Sequence, residues 1–258
     1  MTAQVLAVAN QKGGVGKTTT ALTLSAALVR QGRRVLVMDL DPHANASVHL
    51  AFYPETLSAS AHDLFLADWE KRSWGEIVRR PGVGGFDFVP GHIRLAELEV
   101  DLKERKNKGL ILSRALAAVR DSYDFVVIDC PPHVGVLLVN ALVAADLVII
   151  PIQTDFLALY GIRLLFDTIR LLNRVLPSPI RFKALATMQD RRAGVCRRIL
   201  ALMHEKLGQR VFETVIHMDT KFREACTLGK IIFDVDEDSR GANEYMQLAS
   251  EIIADENA

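Results

Sequence analysis

The sequence predicts an α/β protein: a single domain over residues 1–258 with a mostly parallel, twisted β-sheet and helices on both of its faces. Three observations support this fold class. Short apolar runs alternate with longer amphipathic segments along the whole chain. A glycine-rich loop joins the first apolar run to the first helical pattern. Several apolar runs end in aspartate, at the strand ends where parallel sheets bind ligands.

The composition excludes some classes of protein and leaves others open. Half of the residues are hydrophobic, and 31 Lys+Arg balance 31 Asp+Glu, so no net charge directs the chain to nucleic acid or membrane. Cys130, Cys196 and Cys226 show no paired spacing, which indicates a reducing compartment and no cysteine metal site. No signal peptide precedes Val5, and no apolar run reaches about 18 residues. We therefore expect a cytoplasmic protein.

The first strand, loop and helix carry the strongest signal. An apolar strand, Val5–Ala9, leads into QKGGVGKTT, and a helical pattern follows over Thr18–Arg30. Glycines let successive backbone N–H groups turn toward an anion, and the new helix directs its positive end at it. The pattern predicts a phosphate-binding loop in which Lys17 contacts the β- and γ-phosphates and the Thr18 hydroxyl ligates Mg²⁺. The predicted nucleotide contacts are Gly13, Gly14, Val15, Gly16, Lys17, Thr18 and Thr19.

The loop departs from the plain G-x-x-x-x-G-K-[ST] pattern at its start. Gln11 replaces the first glycine, and Lys12 adds a second lysine at the outer rim. One interpretation is that Lys12 reaches a phosphate bound by another subunit, as an arginine finger does. The other is that Lys12 is a solvated lysine before a glycine turn.

The stretch KGGVGKTT resembles the deviant Walker A motif of the ParA/MinD family of ATPases. The resemblance implies a P-loop NTPase fold, ATP and Mg²⁺ as cofactors, and hydrolysis of ATP to ADP and phosphate. It also implies an ATP-sandwich homodimer in which each signature lysine, here Lys12, crosses to the partner's nucleotide. Slow turnover that a partner protein stimulates is a further implication.

The second strand ends in two acids. Val35–Met38 is followed by Asp39-Leu40-Asp41-Pro42-His43. Two carboxylates beside a phosphate loop suit contact with Mg²⁺-bound water and orientation of an attacking water. The block resembles the first switch of the family, D-x-D-P-Q, which implies that Asp41 positions or activates the water and that Asp39 lies near the magnesium. His43 replaces the usual glutamine, and a polar turn that caps the strand is the alternative.

The middle of the chain contains a second acid at a strand end. Two or three short helices are predicted between Ser47 and Arg80, a strand over Phe86–Val89 and a helix over Leu110–Arg120. The apolar strand that begins at Asp124 ends in Asp129, which is placed like a Walker B aspartate that holds Mg²⁺ through water. The two prolines that follow resemble the second switch of the family. The alternative is an aspartate that caps a turn.

The remaining elements follow in βα order. The predictions are a helix over Gly135–Ala144, a strand over Leu147–Pro151, a helix over Ile162–Leu176 whose apolar stripe is core, a strand over Phe182–Met188, a helix over Val195–Leu207, a strand over Val211–Ile216 and a last helix over Asn243–Ala254. The family resemblance adds three nucleotide contacts. Asp155 stands where a glutamate usually contacts the partner's ribose, Met188 borders the adenine, and Asp234 lies in a segment that resembles the adenine loop.

Charge is distributed unevenly toward the C-terminus. Arg181–Lys230 carries eleven Lys+Arg against five Asp+Glu, and Ile231–Ala258 carries one against eight. The family binds DNA through basic residues in this part, which implies non-specific DNA binding by the ATP dimer. The candidate contacts are Arg191, Arg192, Arg197, Arg198, Lys221 and Arg223. The alternative is that these are solvated charges paired with local acids.

These features together predict a Mg²⁺-dependent ATPase that forms an ATP-sandwich dimer, binds DNA non-specifically and partitions or positions a chromosome, plasmid or protein cluster. We expect it at the nucleoid when ATP-bound. A MinD-like membrane-associated ATPase is the main alternative, but the tail Glu244–Ala258 has no Lys or Arg to attract anionic lipid. An iron–sulfur carrier would need suitably spaced cysteines. An amidotransferase or ligase on the same core has no recognisable substrate motif here.

Overall fold

The computed structural model describes residues 2–66, 69, 73–155 and 162–256. Within them, one six-stranded sheet forms the centre of the protein. Its strands are β1 Gln4–Val8, β2 Val35–Asp39, β3 Asp87–Val89, β4 Phe125–Asp129, β5 Leu147–Gln153 and β6 Phe182–Thr187. The order is β3-β2-β4-β1-β5-β6, and every neighbouring pair is parallel. The predicted parallel sheet is confirmed.

Ten α-helices lie in the described part of the chain. They are α1 Lys17–Arg30, α2 Asn45–His49, α3 Trp74–Ile77, α4 Leu98–Asp101, α5 Ile111–Ala117, α6 Val136–Ala144, α7 Arg163–Leu172, α8 Gly194–Leu207, α9 Lys221–Thr227 and α10 Arg240–Glu256. Short 3₁₀ turns connect several of them. None of these helices combines the length and the apolar character that crossing a bilayer requires.

The helices cover both faces of the sheet. Because side chains alternate across a strand, Val5 and Ala7 of β1 face one core while Leu6 and Val8 face the other. The first core includes residues of α5, α6, α7 and α8, and the second includes residues of α1 and α10. Burial of the strands on both faces explains their continuous apolar runs. The two-sided arrangement predicted from the sequence is confirmed.

The predicted strand over Val211–Ile216 is wrong. The segment has one isolated bridge, from Val211 to Ala184, and its Phe212 and Ile216 N–H groups donate to the Ala184 and Ala186 carbonyl oxygens; a second isolated bridge joins the next residue, His217, to Gln189. The backbone N–H groups of Glu213 and Thr214 instead donate to the Glu251 carboxylate of α10. A side chain from a distant helix thus takes the Thr214 donor that a regular ladder along β6 would need.

Candidate functional site

The loop between β1 and α1 has the backbone that a phosphate-binding loop requires. Gly14 and Gly16 have φ values of 73° and 89°, in the left-handed region that residues with a Cβ rarely adopt. Helix α1 begins at Lys17, and its first turn contains no acidic residue. The positive end of the helix dipole is therefore available to an anion.

Two clefts adjoin this loop. The phosphate-side cleft has a volume of about 910 Å³, and its lining includes Gly13, Gly14, Lys17, Thr18 and Asp41. The base-side cleft has a volume of about 690 Å³, and its lining includes Thr187, Gln189, His217 and Tyr245. Gly16, Thr19, Met188, Phe222 and Cys226 line both clefts. The two clefts therefore share part of their lining at the loop and offer room for phosphates on one side and a base on the other.

Three aspartates converge beside the loop, at the carboxyl ends of β2 and β4. Asp39 and Asp129 occupy paired positions on these neighbouring strands, and both side chains are fully buried. Burial raises the pKa of Asp129 well above its usual range, and the nearby charge of Asp39 adds to this shift. Burial also raises the pKa of Asp39 to about 6, although hydrogen bonds from Ser47 and Asp41 act in the opposite direction. A cation at this place would relieve the unfavourable burial of negative charge.

The residues present fit a magnesium ion. The Thr18 hydroxyl donates to Asp129 Oδ2 at 2.7 Å, while Asp129 Oδ1 is buried without a hydrogen-bond partner. Hydroxyl and carboxylate oxygens are the ligands that Mg²⁺ prefers, and it is usually held by one or two carboxylates together with substrate phosphates. No group of three or more His, Cys, Asp or Glu side chains in the described residues forms an all-protein metal cage.

The Asp39 carboxylate organises the loop that follows β2. Its Oδ1 accepts a hydrogen bond from the Asp41 N–H at 3.1 Å, and its Oδ2 accepts from the N–H and the hydroxyl of Ser47 at 2.9 and 2.7 Å. The Ser47 hydroxyl in turn accepts from the Gly91 N–H at 2.7 Å. Asp39 lies beside Asp129, as expected, but both of its carboxylate oxygens already accept hydrogen bonds from the loop that contains Asp41.

Gly91 is expected to be essential to this arrangement. A Cβ at this position would lie 2.9 Å from Asp39 Cγ and 3.0 Å from the Asp39 carbonyl oxygen, so the strand end would have to move. We expect Gly91→Ala to lower the free energy of unfolding by about 1–3 kcal/mol in urea titrations. Gly82→Ala is the matched control, because a Cβ there meets no atom within 4 Å. Equal stability of the two variants would contradict the predicted crowding.

Asp41 faces the phosphate-side cleft and is held by the residue that departs from the family pattern. Its side chain is 7% exposed, and its Oδ1 accepts the His43 N–H at 3.0 Å. The His43 ring Nδ1 lies 2.9 Å from the same oxygen. The backbone and the imidazole of His43 therefore both contact the same carboxylate oxygen of Asp41. This position beside the loop suits a group that orients water against a bound phosphate.

The two lysines of the loop point in different directions. Lys17 lines the phosphate-side cleft and is buried. Lys12 lines neither cleft; its Nζ lies 2.5 Å from Asp155 Oδ2 and 3.5 Å from Gln153 Oε1 at the end of β5. In the single chain Lys12 is therefore a partly exposed lysine with an ion-pair partner in its own chain. Asp155 holds this lysine and lines neither cleft.

The other two predicted base contacts differ in their positions. Met188 lines both clefts and has a φ of 52°, so its backbone turns sharply at the end of β6. Asp234 lines neither cleft, and its Oδ2 accepts the Ile231 N–H at 3.2 Å, which caps a 3₁₀ turn. The position of Met188 agrees with the expected border of the adenine, whereas the position of Asp234 does not favour a nucleotide contact.

A chain of polar contacts in the wall of the base-side cleft, with His217 and Glu244 buried and Arg191 exposed, has no counterpart in the sequence predictions. Arg191 Nε donates to His217 Nε2 at 2.9 Å, and His217 Nδ1 lies 2.6 Å from Glu244 Oε1. Because the Arg191 Nε–H can only donate, Nε2 is the acceptor in this arrangement and Nδ1–H is placed to donate to Glu244. These residues come from three separate segments, so no local motif could have indicated them. Arg191, which the sequence predicts as a DNA contact, is exposed and also lines the base-side cleft.

The other predicted DNA contacts lie at the surface near the first turns of α8 and α9. Arg192 pairs with Asp190 at 3.3 Å, and Lys221 pairs with Glu224 at 2.9 Å, so the alternative of local pairing describes both. Arg197 donates to the Arg191 carbonyl oxygen at 2.7 Å. Arg198 and Arg223 are exposed. The basic surface is therefore smaller than the sequence count suggests.

The sequence is similar to a protein-family model and to proteins of known name over most of its length. A family model described as an AAA domain matches residues 3–182. The sporulation initiation inhibitor protein Soj of Bacillus subtilis is 36% identical over 97% of this chain and 98% of its own length. The chromosome partitioning protein ParA of Caulobacter vibrioides is 35% identical, over 98% of this chain and 95% of that protein.

Solved structures share the same fold. A Mycobacterium smegmatis protein described as cobyrinic acid a,c-diamide synthase, with bound ATP analogue and magnesium, has a TM-score of 0.84 and 33% identity, over 99% of this chain and 96% of that one. An ATP complex of Cyanothece McdA has a TM-score of 0.85 at 19% identity, over 98% and 96%. The Pyrococcus furiosus cell division ATPase MinD has a TM-score of 0.76 at 20% identity, over 99% and 100%. The last two likenesses concern the fold alone.

Proposed function

The chain belongs to the ParA/MinD family of ATPases and hydrolyses ATP, and we propose that it uses this hydrolysis as a Mg²⁺-dependent switch between monomer and dimer to partition or position cargo. The proposal rests on the different positions of two lysines of one loop. Lys17 lines its own phosphate-side cleft, whereas Lys12 is held outside both clefts by Asp155.

The chemistry is attack of water on the γ-phosphoryl group of ATP, which gives ADP and phosphate. Lys17 and the loop N–H groups bind the phosphates, and Asp41 orients the attacking water. Thr18 and Asp129 would hold Mg²⁺, the second of them through water. When bound, that ion supplies electrostatic stabilisation of the phosphate oxygens. Asp39 positions Asp41 through the backbone N–H that it accepts.

Dimerisation would exchange one partner of Lys12 for another. In the single chain the Lys12 ammonium is neutralised by Asp155. When a second copy of this chain approaches across bound ATP, the more highly charged phosphates would attract the lysine away from the carboxylate. Gly13, at which an added Cβ meets no atom within 4 Å in the single chain, leaves this rim open to a close approach of backbones. Whether ATP is bound would thereby determine whether the protein is a dimer.

Lys12→Ala tests this exchange. We expect the variant to keep ATP affinity within about threefold of wild type and to lose the ATP-dependent dimer in sedimentation runs with Mg²⁺ and a non-hydrolysable analogue. Asp155→Asn is the matched control, because it keeps Lys12 but removes the charge that retains it. This control should dimerise at least as well as wild type. A normal dimer formed by Lys12→Ala would refute the crossing role.

Non-specific DNA binding by the ATP dimer is the second part of the proposal, and the exposed arginines at the start of α8 support it. A dimer would present two copies of each basic surface, so that weak phosphate contacts add through avidity. Such binding depends strongly on salt, with log affinity falling by about 0.9 per phosphate contact per log unit of salt. A partner protein that stimulates hydrolysis would then release the dimer from DNA.

Arg198→Glu is expected to weaken duplex binding about tenfold for all sequences alike, because it replaces a phosphate contact by a repulsive charge. Gel shifts at two salt concentrations with the non-hydrolysable analogue measure the effect. Lys206→Glu, the same charge change near the other end of α8, is the control and should bind like wild type. Equal retention with ADP and ATP, or equal weakening by both variants, would reject DNA binding through this surface.

An amide-forming synthetase is a second candidate function. It is favoured by the similarity to the Mycobacterium smegmatis cobyrinic acid a,c-diamide synthase structure, which is 33% identical to this chain. The two functions differ in what hydrolysis requires. A positioning ATPase releases phosphate from ATP and water alone, whereas an amide synthetase couples it to a carboxylic acid and ammonia. Phosphate release without an acid substrate supports the switch, and release that requires both co-substrates supports the synthetase.

A further inference from the structure

Helix α6 begins without a capping side chain of its own. The residue before it, Gly135, has no side chain, and its first turn contains no acidic residue. The Val136 N–H instead donates at 2.9 Å to Oε2 of Glu99, which belongs to α4 and lies 37 positions earlier in the chain. A carboxylate at this place satisfies a first-turn N–H and faces the positive end of the helix dipole. Glu99 therefore caps α6 from outside the helix.

The position of Glu99 is fixed by the packing around it. Leu98 and Leu102, on either side of it in the sequence, are buried in the same core as Val136. A Cβ added to Gly135 would overlap Oε1 and Cδ of the Glu99 side chain. The backbone of Gly135 is extended, with a φ of −165°, which any residue can adopt. The absence of a side chain at Gly135 therefore makes room for the carboxylate and is not required by the backbone angles.

A second polar contact ties the middle of α6 to the same part of the chain. Asn140 Nδ2 donates to the Lys108 carbonyl oxygen at 2.8 Å, and Asn140 Oδ1 accepts the Leu112 N–H at 3.0 Å. Both ends of this buried amide are therefore used. Glu99 differs, because its Oε1 is buried without a hydrogen-bond partner in the part of the chain that the structure describes. An unpaired buried acceptor lowers stability, so folding alone does not explain a glutamate at this place.

The six residues between β4 and α6 connect this cap to the nucleotide site. The loop of residues 130–135 begins directly after Asp129, and its Pro132 lines the phosphate-side cleft. Asp129 is held in the sheet at one end of the loop, and Glu99 holds Val136 at the other end. Release of one end would let the middle of the loop move. Displacements of about 1 Å near reacting groups can cost up to about 10²-fold in rate.

We propose that Glu99 is a positioning residue for ATP hydrolysis: its carboxylate holds the start of α6 and thereby fixes the loop of residues 130–135 against the phosphate-side cleft. The inference rests on the proposed function, because it takes hydrolysis to occur in this cleft. Glu99 lines neither cleft, so it acts through the loop and not by contact with the nucleotide. Its loss should therefore change the rate of hydrolysis more than the affinity for ATP.

Glu99→Ala tests this role. We expect phosphate release at saturating ATP to slow about tenfold, with ATP affinity within about threefold of wild type. Glu99→Gln keeps an oxygen that can accept the Val136 N–H, so its rate should stay within about threefold. Asp101→Ala removes an exposed acid of the same helix and is the matched control, which should behave like wild type. Wild-type release by Glu99→Ala would overturn the inference and leave the proposed ATPase function in place.

Gly135→Ala gives a second test that keeps the glutamate. The added methyl group displaces the carboxylate, so this variant should be as slow as Glu99→Ala. Because both changes break one contact, the double variant should be no slower than either single variant. Losses that multiply in the double variant would contradict the inference.

Hydrogen exchange without nucleotide measures the cap itself, independently of phosphate release. Peptides that cover residues 130–137 should exchange faster in Glu99→Ala and in Gly135→Ala, and at the wild-type rate in Asp101→Ala. Unchanged exchange in the rest of the chain shows that the fold is intact. The inference is overturned if exchange of these peptides is the same in all variants. If the wild-type protein releases no phosphate, the proposed function fails, and the exchange result still decides whether Glu99 holds the loop.

Discussion

Replacing Lys17 by alanine is expected to lower ATP affinity by about a hundredfold or more. The side chain lies at the first position of α1, is buried and lines the phosphate-side cleft. Lys12 is directed away from that cleft, so no other lysine of the loop can replace the lost charge. Truncating one member of a desolvated charge pair typically costs about 2–5 kcal/mol, which corresponds to this loss of affinity. Isothermal titration with Mg²⁺-ATP gives the value directly.

Lys12→Ala is the matched comparison for Lys17→Ala. Both variants remove the same side chain from the same loop, yet only Lys17→Ala should lose ATP, while only Lys12→Ala should bind ATP without dimerising. Thermal unfolding without nucleotide checks that neither change disrupts the fold. Wild-type ATP affinity in Lys17→Ala would show that the phosphates bind elsewhere.

Asp41→Ala is expected to slow ATP hydrolysis by about 10²–10⁴-fold while ATP still binds and drives dimerisation. The carboxylate lies beside the phosphate loop and is fixed by His43 and by the backbone that Asp39 organises. Loss of a group that orients or deprotonates the attacking water removes a catalytic factor of this size without removing the phosphate contacts. Phosphate release under saturating ATP, together with sedimentation of the dimer, measures both effects.

His43→Gln serves as the control for this prediction, because it changes a neighbour of Asp41 to the residue usual in the family and leaves the acid in place. Its hydrolysis rate should stay within about tenfold of wild type. If Asp41→Ala releases phosphate at the wild-type rate, the role of orienting water belongs to another residue beside the loop.

Sequence alone predicted the parts of the site that local chemistry determines. Glycines at Gly14 and Gly16 are required by backbone angles, and Lys17 and Thr18 start a helix directly after them. The acids Asp39 and Asp129 end apolar runs, and parallel strands bring such ends to one edge of the sheet. Each of these signals is contained in a few consecutive residues, so it could be recognised without knowledge of how the chain packs.

Only the tertiary structure decided which distant residues meet. Lys12 pairs with Asp155, 143 positions away, and His217 links Arg191 to Glu244 across separate segments. The Glu251 carboxylate that interrupts a strand also comes from a distant helix. In α7, large apolar residues lie on both the buried and the exposed side, and periodicity cannot distinguish them. Pairing partners and the final extent of burial depend on how the whole chain packs, and a local pattern does not determine either.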